Sequence, residues 1–564
     1  MPGKTAAALA VLCASVTIPY GGSTLGAQPA RGAANDQVTI RSGAVAGVVG
    51  RNTSITVFKG IPFAAPPVGP LRWRAPEPPA AWQGVRAAGT FSPSCIQTIV
   101  EEKKPWTYEF MAHGEVSEDC LYLNVWTQAP SSREKRPVFV YLYGGANVEG
   151  SGSIPAYDGE GLASKGLVVV TFNYRVGVLG FFAHPELTKE SSYHASGNYG
   201  LLDQIAAVRW VHENIGAFGG DPNRVTVAGQ SAGASAVHSL TASPLAKGLF
   251  QRAIADSGAG GGGTRTMADQ EADGVRFAEA KKARSLADLR AMPWQDVVAP
   301  VQGVRFAPLP DGYALPETVR QTFAAGKQND VPMLTGINAD EGGASPHPAT
   351  TLDAFQRQAR QRYGDMADEF LMLYPAASDD QAKLAQNESA RDLARATMYA
   401  WAVERAKTAQ TKVFTYFWTH PLPGPDGDQY GAFHTSEVPY VLNTLSMSSR
   451  PFTAADHRIA DTLSSYWANF AATGDPNGKG LPAWPAVSAD TAMTMEVGES
   501  FRPIPVAGSK EKREFLARFL ARSNAPPPPR TAGQAYHGIP ETTVDLIQAD
   551  RAVRLVDSVR ATSN

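Results

Sequence analysis

A five-residue turn, Gly229-Gln230-Ser231-Ala232-Gly233, constrains this chain more than any other feature. A β-branched run, Arg224-Val225-Thr226-Val227-Ala228, leads into it, and the small residues Ala234, Ser235 and Ala236 follow. That order reads as a strand, a sharp turn and the start of a helix. In a G-x-S-x-G turn the serine sits in a strained backbone conformation that lifts Oγ above the sheet edge. Glycines flank it because a side chain there would strike the neighbouring strand or helix. Ala232 then presents its N–H at a helix N-terminus, where free donors and the helix dipole favour negative charge. The plain alternative is a Gly/Ser-rich loop, so the reading turns on whether the chain supplies partners for Ser231.

With 564 residues, 43% of them hydrophobic, the chain can bury a large core. Its formal net charge is −2 with both signs interspersed. No basic stripe points to nucleic acid, and no acidic tail to a solvating role. Residues 1–27 have the layout of a secretory leader: Lys4, an almost uncharged run from Thr5 to Tyr20, then small residues up to Ala27. The run is short for a stable membrane span, and no later stretch is long and apolar enough. The mature protein is therefore expected to be exported, without stable membrane insertion. Removal of the leader takes Cys13 and leaves Cys95 and Cys120. An isolated pair in an exported protein is expected to form a disulfide.

Alternating β-branched residues from Val38 to Gly60 predict a small antiparallel meander. Beyond it strands and helices alternate. Leu121 to Trp126, Pro137 to Tyr143, Leu167 to Tyr174, Arg224 to Ala228, Arg252 to Asp256 and Val413 to Trp418 read as strands, and Asp203 to Phe218 as a helix. This predicts an α/β fold, a mostly parallel sheet flanked by helices, over residues 36–523. Ala525 is followed by four prolines, a stiff spacer within a C-terminal region, 524–564, whose end has a helical pattern at 544–559.

A serine hydroxyl needs a base to take its proton, and the base needs an orienting carboxylate. Of ten histidines, His434 is the better placed, in Gly431-Ala432-Phe433-His434-Thr435-Ser436-Glu437 between a glycine-rich loop and an apolar helix start. His420, just past the strand ending at Trp418, is the second choice. The acid lies in Asn338-Ala339-Asp340-Glu341-Gly342 after a strand, and spacing leaves Asp340 and Glu341 open. Tyr143-Gly144-Gly145-Ala146-Asn147 ends a strand in small residues, so a substrate carbonyl can approach its backbone N–H groups.

With these residues in hand, the chain resembles the type-B carboxylesterase/lipase family of the α/β-hydrolase superfamily. The resemblance runs from about Val38 to Val506. It is carried by Phe58-Lys59-Gly60-Ile61-Pro62-Phe63, by Ser117-Glu118-Asp119-Cys120-Leu121-Tyr122-Leu123-Asn124-Val125, by Gly197-Asn198-Tyr199-Gly200-Leu201-Leu202-Asp203-Gln204, and by Gly474-Asp475-Pro476-Asn477. It implies Ser231 as nucleophile, Glu341 as acid and His434 as base. It implies Gly145, Ala146 and Ala232 as oxyanion donors, Gln230, Ser257 and Glu437 as residues around the histidine, and a Cys95–Cys120 disulfide.

Two residues depart from the family's pattern. Gln230 stands where a glutamate is usual, so less negative charge stabilises the imidazolium. Asn147 stands where relatives often carry a bulky aromatic, which suggests a roomier or more polar site. The reading is an exported serine esterase acting on a small-molecule ester, with no metal and no organic cofactor implied. Its rivals are a non-catalytic binding protein on the same scaffold, and a carbamate or amide hydrolase or acyltransferase using the same residues. Specificity is expected in the loops between Pro93 and Val116 and between Gly258 and Lys407. Of the basic residues there, Lys103, Lys104, Arg265 and Arg305 are candidates to meet an anionic ester, against the plainer reading of solvated surface charge.

Overall fold

The computed structural model of the chain describes residues 36–258, 265–424 and 427–523. The expected leader, the Pro-rich region 524–564 with its helix, and most of the glycine run 258–263 lie outside the described residues. In chain order the strands are β1 (Gln37–Ile40), β2 (Gly43–Ala46), β3 (Val48–Val49), β4 (Thr56–Pro62), β5 (Val85–Ala87), β6 (Ser94–Cys95), β7 (Val116–Ser117) and β8 (Tyr122–Thr127). They continue with β9 (Arg136–Leu142), β10 (Val168–Phe172), β11 (Gly220–Gln230), β12 (Arg252–Asp256), β13 (Met333–Asn338), β14 (Val413–Trp418), β15 (Met493–Val497) and β16 (Arg502–Pro505).

Among the described residues the large sheet has 11 strands in the order β16-β15-β14-β13-β12-β11-β9-β10-β8-β4-β3. From β10 across to β15 every pairing is parallel. The strands at both edges pair antiparallel. The parallel strands are apolar along their length because helices cover both faces: Val138–Leu142, Val168–Phe172 and Val225–Gln230 are buried at every position. This is the mostly parallel sheet expected from the alternation of strands and helices, and it agrees with the α/β-hydrolase fold that the family resemblance implies.

The chain leaves β9 for β10 on one side, then crosses to β11 on the other. Successive connections thus diverge at the carboxyl ends of β9 and β11, and such a switch point leaves a crevice in an open parallel sheet. The residues after β9 and β11 are the Gly144–Asn147 segment and Ser231.

The stretch 38–60 divides between two sheets. β1 and β2 pair antiparallel, and β5 joins β2 in parallel. β4 instead enters the large sheet beside β8, because Phe58 and Ile61 are too apolar for a solvated ribbon and are fully buried there. The helix expected from Asp203 begins earlier, at Tyr199, and ends at Asn214. A further short turn reaches Phe218, where Gly219 at φ 79° stops it. Asp203 is interior to that helix and fully buried, and it is tied to Arg175 by bonds of 2.8 and 2.7 Å.

Cys95 and Cys120 form a disulfide across 25 residues of chain. A loop of that length is worth about 3 kcal/mol on the chain-entropy model. A Cys95→Ser/Cys120→Ser variant is expected to unfold at lower denaturant concentration, by about that amount. An unchanged midpoint would mean that the loop is held closed without it.

Candidate active site

The turn after β11 has the backbone that the sequence calls for. Ser231 lies at φ 60°, ψ −121°, a strained conformation for a residue with a side chain. Its N–H donates to Asp256 O at 2.9 Å, and its carbonyl accepts from Ser235 N at 3.0 Å, so strand β12 and the helix Ala232–Ala242 clamp it from both sides. The flanking glycines are steric necessities. A Cβ on Gly229 would meet the Gly233 carbonyl at 2.5 Å, and one on Gly233 would lie 2.1 Å from Leu142 O. A chain with larger residues at either position has no room for this turn.

The segment after β9 is strained as well. Gly145, Ala146 and Asn147 all have positive φ, at 110°, 55° and 61°. A Cβ on Gly145 would come within 2.2 Å of Glu149 O. Asparagine tolerates the left-handed region better than an aromatic residue does, which gives Asn147 a backbone reason to be where it is. Gly144 packs against the serine turn, its Cα so close that a Cβ would lie 2.8 Å from Gln230 O. Among the described residues, the N–H groups of Gly145, Ala146 and Ala232 donate to no partner.

His434 and Glu341 meet: the carboxylate Oε2 contacts His434 Nδ1. Glu341 is held by the Asn338 N–H, which donates to Oε1 at 2.8 Å. Asp340, one residue earlier, points elsewhere. It pairs with Arg391 and accepts from Ala432 N at 2.8 Å, bracing the histidine loop without touching the imidazole. His420 is engaged at both ring nitrogens, with Glu499 at 2.7 Å and Asp456 at 2.8 Å. The Gln230 amide nitrogen lies 3.4 Å from His434 Nδ1 and 3.3 Å from Nε2. A position almost equidistant from both nitrogens follows the bond axis of neither, so the amide is a neutral neighbour of the ring rather than a partner for one nitrogen.

Ser257 and Glu437 do not hydrogen-bond the imidazole. Ser257 Oγ is buried with no partner among the described residues. Glu437, fully buried, receives the side-chain amide of Asn338. Asn338 is a residue that sequence reasoning misses. Its backbone holds Glu341, and its side chain donates to Phe433 O at 2.7 Å and to Glu437, joining the acid loop to the histidine loop. Burial lifts the Glu437 carboxyl well above its ordinary range, and the nearby Asp256 adds to the rise. Burial likewise pushes Asp256 up to about 7, against the Tyr416 hydroxyl that donates to it at 3.0 Å.

Ser231 and His434 open on one cleft, which encloses about 680 Å³ including its solvent-facing mouth. Its wall comes largely from the disulfide-closed loop, through Gln97, Val100, Lys103, Trp106 and Phe110. Tyr157 and Ile154 also line the cleft. Among the described residues, the stretch from 265 to 407 adds none of the wall. Its helices pack partly into apolar clusters around Phe277 and around Phe370, and partly into the main core through Val319, Phe323, Met398 and Ala402. Arg265 is turned to Asp273. Lys103 alone of the basic candidates lines the cleft. No group of three His, Cys, Asp or Glu suited to a metal occurs among the described residues.

Residues 34–516 match the model of the Carboxylesterase family. The chain is 40% identical to the Fumonisin B1 esterase of Sphingopyxis macrogoltabida over 467 residues, 79% of this chain and 83% of that protein. It is 35% identical to the para-nitrobenzyl esterase of Bacillus subtilis (strain 168) over 509 residues, 85% and 98% of the two chains. It is 34% identical to the human cocaine esterase over 475 residues, 78% and 84% of the two chains.

Asp256 sets a pH dependence of stability. The folded group keeps its proton up to about 7, whereas an unfolded aspartate releases it near ~4. Its contribution is therefore full below about pH 4 and drains away as pH rises through 7. Asp256→Asn keeps an acceptor for Tyr416 and has no proton to lose. Denaturant titrations should show that the variant does not share the wild-type loss of stability over that window. An identical slope in both proteins would contradict the assignment.

Proposed function

The chain belongs to the carboxylesterase family and is a carboxylic ester hydrolase; from that premise we propose that it works through an acyl-enzyme on Ser231. Ser231 Oγ attacks the ester carbonyl, and His434 Nε2 takes its proton and returns it to the leaving alcohol. Water then attacks the acyl-enzyme by the same route in reverse roles, freeing the acid. Glu341 at Nδ1 fixes the tautomer that leaves Nε2 a lone pair, and it stabilises the imidazolium that forms. The N–H groups of Gly145, Ala146 and Ala232 receive the oxyanion. Loss of one such donor costs about 3 kcal/mol of transition-state stabilisation.

The observation that carries this reading is the Glu341 contact to His434 Nδ1 on the cleft that Ser231 also lines. Three N–H groups beside the serine, without an acceptor among the described residues, add to it. The substrate is a small-molecule carboxylic ester. Relatives named for fumonisin B1, cocaine and para-nitrobenzyl esters suggest that bulky esters are within the family's reach. We also propose that residues 36–523 form the catalytic domain and that the protein is exported after loss of residues 1–27. The disulfide supports export, and no helix among the described residues is long and apolar enough to cross a membrane.

Ser231→Ala and His434→Ala are each expected to abolish hydrolysis of p-nitrophenyl esters while leaving the melting temperature close to wild type. Turnover retained in Ser231→Ala would remove the mechanism. Gln230→Glu puts a carboxylate beside the imidazole, which favours its charged form. The acid limb of the kcat/KM profile should then move to higher pH. An unmoved limb would mean that position 230 does not set the base.

A further inference from the structure

We infer that Trp106 is a positioning residue for the base, tying the backbone of the histidine loop to the wall of the cleft. The inference rests on the reading of His434 as base. The indole N–H is shared between two acceptors on that loop, His434 O and Thr435 Oγ1, each at 3.1 Å. Thr435 has φ 91°, a left-handed backbone that costs a β-branched residue free energy and persists only where its surroundings hold it.

The loop is gripped from two sides. On the sheet side, Asn338 donates to Phe433 O at 2.7 Å, Asp340 accepts from Ala432 N at 2.8 Å, and Glu341 meets the imidazole. On the cleft side the grip is Trp106, whose ring also meets Phe433 edge-on, with centroids 6.5 Å apart at 86°. Without the indole N–H, the carbonyl of His434 itself loses this bond.

Trp106 does not hang free. Its backbone exchanges two hydrogen bonds with Lys103, at 2.9 and 2.8 Å. Just beyond, Arg450 donates to Glu109 at 2.7 Å and to Thr107 at 2.8 Å. Lys103, Trp106 and Phe110 of the same segment line the cleft. A substrate pressing on this wall therefore acts on the loop that carries the base. That makes Trp106 a link between what fills the cleft and the geometry of proton transfer, where small misplacements are expensive.

Trp106→Phe keeps an aromatic wall and the contact with Phe433 but removes the donor. On a neutral p-nitrophenyl ester, kcat should fall about tenfold with KM little changed. Thr435→Val cuts part of the same bond, so the double variant should lose little beyond Trp106→Phe. The downfield proton resonance of His434 Nδ1–H should shift in Trp106→Phe. A loss confined to KM, fully additive losses or an unmoved resonance would reduce Trp106 to a wall. Should Trp106→Phe melt below assay temperature, Thr435→Val and Arg450→Gln carry the test, and unchanged kcat in both overturns the proposal. Turnover surviving in His434→Ala would instead remove the base itself, whatever the result at Trp106.

Discussion

The carboxyl ends of β9 and β11 approach so closely that the residues between them have almost no side chains. A Cβ on Gly233 would lie 2.1 Å from Leu142 O, and one on Gly144 would lie 2.8 Å from Gln230 O. The serine turn and the segment after β9 are thus pressed into one surface. Because the turn is tight, Ser231 is driven to φ 60° and its side chain stands clear of the sheet. Because the neighbouring segment runs through left-handed residues, its N–H groups are not drawn into a helix or a ladder. Strain at these positions is held by the fully buried strands behind them.

Around this surface the protein sorts several acidic groups by environment. Glu341 faces the imidazole, and Asp340 is occupied by Arg391 and a backbone N–H. Asp256 and Glu437 lie deeper, where burial favours their protonated forms. Gln230 adds an uncharged amide near the ring. The charge that reaches His434 therefore comes mainly from one carboxylate. Asn338 holds the arrangement by bonding to Glu341, Phe433 and Glu437 at once.

What the sequence reveals follows from how local each cause is. Strands Arg252–Asp256 and Val413–Trp418 run as the apolar pattern predicts, since both are buried on two faces and bounded by polar residues. The turn at Ser231 is legible because its glycines answer to a contact a few residues away. The choice between Asp340 and Glu341 is not legible in the spacing, because both follow the same strand; the family resemblance favours Glu341, and in the fold it is the residue that meets the histidine loop's imidazole. Asn338 and Trp106 are equally hidden: an asparagine in a strand and a tryptophan in a loop signal nothing until a segment about a hundred residues away, or several hundred, arrives beside them. The division of 38–60 between two sheets likewise depends on β8, which alternation within the stretch cannot reveal.

If Ser231 is a nucleophile activated by its setting, a covalent serine label should find it. The protein would be incubated with a fluorophosphonate ester, digested, and mapped by mass spectrometry. One adduct is expected, on the peptide containing Ser231, and none in His434→Ala over the same interval. An adduct on another residue, or none in a preparation that still hydrolyses esters, would contradict it.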